Sequence, residues 1–110
     1  MKLPNGASAD LGTKLEDYTL NPNHLEGRYK ARAFSSALGI TLHEIETLRA
    51  AVLSAARTSE DAVARGHNGF GNVYVLRFEM TSVHGTAVIL TAWIIRDGED
   101  FPRLTTCYIV

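Results

Sequence analysis

The stretch Val73-Tyr74-Val75-Leu76-Arg77-Phe78-Glu79-Met80, followed after His84-Gly85 by Thr86-Ala87-Val88-Ile89-Leu90-Thr91-Ala92-Trp93-Ile94-Ile95, decides how this chain folds. In the first segment Tyr74, Leu76, Phe78 and Met80 alternate with Val75, Arg77 and Glu79, the period of two of a half-buried strand. The second segment is apolar almost throughout and rich in β-branched residues, which predicts a central strand covered on both faces. His84-Gly85 supplies the turn between them, Asp97-Gly98-Glu99-Asp100 breaks the chain afterwards, and Leu104 to Val110 reads as a last strand. Short connections between successive strands predict an antiparallel meander.

Upstream of these strands the period changes to that of helices. Leu42, Ile45, Leu48, Val52 and Ala55 form an apolar stripe through about Ala56, opened by a capping-box pair, Thr41 and Glu44. Before it, Ala31, Phe34, Ala37 and Leu38 recur at spacings of three and four from Arg28 onward, with Gly39 as the stop. Thr13 and Glu16 make a second capping-box match, predicting a short helix that ends near Leu20 before Asn21-Pro22-Asn23. The Asn5-Gly6 step between Leu3 and Leu11 predicts a small hairpin. Arg57 to Gly71, rich in Gly, Ser, Asn and Asp, reads as a long mobile surface loop. The expected architecture is therefore α+β, an N-terminal hairpin and helices packed on a C-terminal antiparallel sheet.

At 110 residues the chain suits a single domain spanning positions 1–110, since halves of that length could not bury adequate cores. A formal net charge of -1 offers no global attraction for a polyanion, so nucleic-acid contact requires a local basic cluster. The single cysteine, Cys107, excludes an internal disulfide, and the absence of an apolar leader points to a cytoplasmic setting. The run from Ala87 to Ile95 is about half the ~20 residues of a membrane-spanning helix, so no membrane partner is expected.

Acid–base chemistry near neutrality would fall first to His24, His43, His67 and His84. His43 reads as a solvated helix residue, His84 as part of a turn, and His67 as a loop residue. His24 leads into Arg28, Lys30 and Arg32, placing an imidazole and three cations at a helix entrance suited to phosphate; the competing reading is a solvated helix surface. No histidine pair has zinc-motif spacing, so neither a metal nor a cofactor is expected. Cys107 in its apolar strand reads as an inert core thiol. Along the last strand Thr106 and Tyr108 share one face while Thr105 and Cys107 share the other, and Arg96 is a candidate for a common cleft. Trp93 reads as core.

The segments Lys14-Leu15, Asp17-Tyr18, Leu20-Asn21-Pro22 with His24, Lys30-Ala31-Arg32 with Phe34, and Ala37 to Thr41 resemble an uncharacterised family of small bacterial domains. Thr91 to Arg96 and Gly98 to Tyr108 resemble the same family, so the likeness covers nearly the whole chain. Its layout is similar to the barnase, EndoU, colicin and RelE ribonuclease-toxin superfamily, whose members cleave RNA without metals. That similarity implies that His24, Lys30 and Tyr108 are catalytic, and that Arg32, Arg96 and Thr106 bind the substrate. It also implies RNA as ligand and a small inhibitory partner encoded by a neighbouring gene. Where relatives carry histidine just before the lysine, this chain has Tyr29, which weakens an acid–base role there. The alternative is a non-catalytic protein–protein interaction domain, with a homodimer through the exposed sheet face left open. Cleavage would require the six residues to converge on one cleft.

Overall fold

In the computed structural model, which describes residues 1–110, two α-helices precede a four-stranded antiparallel sheet: α1 (Arg28–Leu38), α2 (Ile45–Thr58), β1 (Val63–His67), β2 (Gly71–Ser82), β3 (Gly85–Arg96) and β4 (Arg103–Ile109). The strands lie in chain order, β1-β2-β3-β4. This is the expected α+β class.

Each helix ends where its local chemistry demands. Gly39 takes the left-handed conformation at φ 66°, and the amides of Gly39 and Ile40 return to the carbonyls of Ser35 and Phe34, satisfying the last free acceptors of α1. Thr41 and Glu44 close as a pair, the hydroxyl donating to Glu44 Oε2 at 2.9 Å and accepting from the His43 amide at 3.3 Å. Their first turn is 3-10 (Leu42–Glu44) before α2 begins. The Thr13–Glu16 box does not form. Leu15–Thr19 is instead a π-helical turn, and the Glu16 carboxylate is drawn to Arg49 of α2 at 2.9 Å.

Two further expectations need correction. The Asn5-Gly6 step does turn the chain, with Asn5 at φ 52°, but it opens a 3-10 turn (Gly6–Ser8) rather than a hairpin. Gly6 sits so close to α2 that a Cβ there would lie 1.8 Å from the Ala56 carbonyl oxygen, and Leu3 and Leu11 on either side enter the core. Asp10 then pairs in parallel with Arg103 instead of with a local partner. The second correction concerns residues 57–71, where β1 lies within the expected loop and pairs antiparallel with β2 across a register shift between Ala64 and His67. All five β1 residues are exposed, so no burial pattern marks the strand in the sequence.

The core lies between the helices and one sheet face. Phe34 and Leu38 of α1 and Leu48 and Val52 of α2 meet Leu76, Ile89, Trp93, Leu104 and Cys107 of the sheet, together with Leu15 and Leu20. Trp93 is completely buried; its Nε1 donates to Thr91 Oγ at 2.9 Å, and that hydroxyl donates to the Leu76 carbonyl at 2.8 Å. β3 is central as expected but has helices on only one face. Leu90 and Ile94, outside the core cluster, are buried on the other side because their register neighbours flank them: Arg77 and Tyr108 beside Leu90, Val73 and Arg103 beside Ile94. A register shift places Thr105 as an extra, exposed residue in β4, so Leu104 and Cys107 both reach the core. Thr105 therefore does not share the Cys107 face.

Candidate functional site

The entrance of α1 is seated on the π-helical turn. A Cβ at Gly27 would lie 2.1 Å from the Tyr18 carbonyl oxygen, so only glycine allows this approach. His24 serves as the cap: its Nδ1 accepts from the Glu26 amide at 3.1 Å and the Gly27 amide at 2.9 Å, satisfying two donors ahead of the helix. With Nδ1 so used, the neutral ring carries its proton on Nε2 and offers a donor, while its acceptor nitrogen is engaged.

The His24 ring meets Tyr18 edge to face, with centroids 4.8 Å apart. Lys30, in the first turn of α1, donates from Nζ to the Tyr18 hydroxyl at 2.5 Å. The same ammonium lies 4.3 Å from the Tyr18 ring centroid and 5.5 Å from that of Tyr108 on β4. His24 and Lys30 thus meet at Tyr18, and Lys30 joins them to Tyr108; in the sequence Tyr18 stands out only as part of the family resemblance. Chemically the arrangement offers a half-buried cation beside two phenols and an imidazole N–H, donors suited to an anionic oxygen.

Arg32, Arg96 and Thr106 do not line the groove shared by Lys30 and Tyr108, although Thr106 lies on the same face of β4 as Tyr108. Arg32 lines a cleft on the other flank of α1, with Arg28 and His43. Arg96, at the end of β3, lines a small cleft with Asp10, Thr13, Lys14 and Arg103. Its charge acts on Glu99, whose carboxyl is held below the ordinary range mainly by its hydrogen bonds to Arg103, with a smaller pull from Arg96. Thr106 stands in register with Ala92 on the sheet face turned away from the helices. The six residues do not form one cleft.

Cys107, beside Tyr108, is buried, and burial pushes its thiol from 9.0 up to about 12, against a smaller opposing pull from Lys30. Folding therefore favours the neutral thiol. The stability this contributes is fully present below the unfolded-state value and is lost as pH rises from about 9 towards about 12. Cys107→Ala should flatten that part of the stability–pH curve, measured by urea denaturation at successive pH values; an unchanged slope would show that burial does not raise the thiol above its unfolded-state value.

The match to known families rests on residues 2–110, described as a domain of unknown function, DUF6883. The chain belongs to that family. No curated protein and no solved structure matches the DUF6883 chain. No helix of this DUF6883 domain is long and apolar enough to cross a membrane.

Proposed function

We propose that this DUF6883 domain binds single-stranded RNA along the β4-facing flank of α1. The observation that carries the reading is the gathering of Tyr18, His24 and Tyr108 with Lys30. Tyr29 and Lys30 border the same shallow groove as Tyr108, and Tyr29 is 59% exposed. An exposed phenol beside a cation suits a stacked base and its phosphate, the combination by which single strands are held without sequence preference. Binding is favoured over cleavage because the acceptor nitrogen of His24 is engaged as a cap, and because Arg32, Arg96 and Thr106 do not line the groove.

The experiment is anisotropy of a labelled single-stranded RNA of mixed sequence at low salt, with the same RNA then incubated with EDTA from about pH 5 to about 9. Wild type should bind, and Lys30→Ala should weaken binding about three- to tenfold and lower the salt dependence by about one contact. RNA left intact at every pH is the expected result; metal-independent cleavage lost in Lys30→Ala would establish the toxin-type reading. Absence of any binding would favour a protein-interaction role. The feature supporting that second reading is the sheet face without a helical layer, where Val88 is exposed on the same strand face as Leu90 and Ile94, and Val63 is exposed across β2.

A further inference from the structure

We infer that the cleft on the opposite flank of α1 is a separate binding site for a phosphate ester of nucleotide size. The cleft has a volume of about 460 Å³, within the range of small-molecule sites. Arg28, Arg32 and His43 line it, with the hydroxyls of Ser35 and Thr41, and no carboxylate does. Leu20, Pro22 and Leu42 supply apolar wall for a non-polar part of the ligand.

The state of these side chains distinguishes the cleft from ordinary charged surface. Neither Arg28 nor Arg32 has an ion-pair partner, as is also true of Arg57, Arg65, Arg77 and Arg96, so what sets the cleft apart is that two such cations meet in one place. Arg28 and Arg32 stand one helical turn apart, where like charges repel each other unless an anion lies between them. Tyr29 holds both: the Arg28 guanidinium carbon lies 4.9 Å and that of Arg32 5.8 Å from its ring centroid, and Arg28 Nη2 donates to its hydroxyl at 3.0 Å. Two guanidiniums restrained on one ring lose less freedom on binding a phosphate than two free ones. Thr41 is committed to Glu44 and the His43 amide, which leaves Ser35 and the His43 ring as the free side-chain donors besides the guanidiniums.

This site does not rest on the RNA reading, although Tyr29 borders that groove and also restrains both guanidiniums here. Lys30 and Arg32 are two residues apart and so lie about 200° apart around the helix, which directs them to different clefts.

The test is calorimetric and amide-NMR titration of the wild-type chain at low salt with adenosine 5′-monophosphate, adenosine and inorganic phosphate in turn. The expected result is saturable binding of the nucleotide at about 0.1–1 mM, weaker binding of phosphate, and none of adenosine. The shifted amides should cluster at Arg32, Ser35, Leu42 and His43. Arg28→Ala/Arg32→Ala should weaken the nucleotide at least about tenfold, and Lys30→Ala should leave it within about twofold. No saturation by the nucleotide at about 10 mM, equal binding of adenosine, phosphate binding as tight as the nucleotide, or shifts mapping elsewhere would each overturn the assignment. The NMR map on wild type decides the matter even if the double variant fails to fold.

Discussion

Trp93→Ala should cost about 3–5 kcal/mol, enough to remove much of the ~5–15 kcal/mol that holds a domain of this size together. Trp93 is the largest fully buried side chain, and it stands on β3 between Tyr74 of β2 and Leu104 of β4 in the sheet register. Truncation removes the most extensive packing surface on the sheet and leaves a cavity that the flanking strands cannot close without breaking their ladders. It also strips the Thr91 hydroxyl of the indole donor, although that hydroxyl keeps its bond to the Leu76 carbonyl. Trp93→Phe retains most of the volume and should cost less, about 1–3 kcal/mol. Urea denaturation of the three proteins checks this. A loss below about 1 kcal/mol for the alanine variant would mean that the core is not organised around the indole.

Gly27→Ala is the second large effect, and it links the fold to the proposed RNA groove. The added methyl would meet the Tyr18 carbonyl oxygen at 2.1 Å and its carbon at 2.9 Å, both main-chain atoms that cannot rotate away. The backbone of Gly27, at φ -76°, would otherwise accept alanine, so the penalty is purely steric. Relief requires α1 to move off the π-helical turn, which disturbs the His24 cap and the Tyr18–Lys30 contact together. The expected loss is about 2–3 kcal/mol, accompanied by weaker RNA binding than Lys30→Ala alone produces. Denaturation and anisotropy on one preparation test both halves. Stability within about 0.5 kcal/mol of wild type would show that the entrance of α1 is loosely seated.

Much of the architecture was legible because it is local. The alternation through Met80, the apolar run to Ile95 and the stripes of α1 and α2 each reflect which face meets water, and burial follows them. Gly39 and the Thr41–Glu44 pair marked the junction between helices because positive φ and capping depend on a few adjacent residues.

The candidate site was legible only in part. His24 and Lys30 are neighbours along the chain, and Tyr108 stands out through a family likeness, but His24 and Lys30 are joined by Tyr18 of a separate turn, and Tyr108 is reached through Lys30. Helical geometry alone separates Arg32 from Lys30, since a spacing of two residues turns a side chain to a different side. The positions of Arg96 and Thr106 depend on strand register and on the Thr105 bulge, neither of which has a local signature here.

The sequence by itself thus determined the class, the order of helices before sheet, the limits of α1, the approximate extent of α2 and the burial of Trp93 and Cys107, because periodicity and capping act over a few residues. Only the tertiary structure decided that Val63–His67 becomes a strand, since its five exposed residues are ordered by hydrogen bonds to β2 rather than by burial. It likewise decided that Asp10 pairs with Arg103, that Glu16 leaves its capping box for Arg49, and that the cations of α1 divide between two clefts. Each of these outcomes is set by a partner far away in the chain or on another element, and partners at such distances leave no periodic trace in the residues themselves.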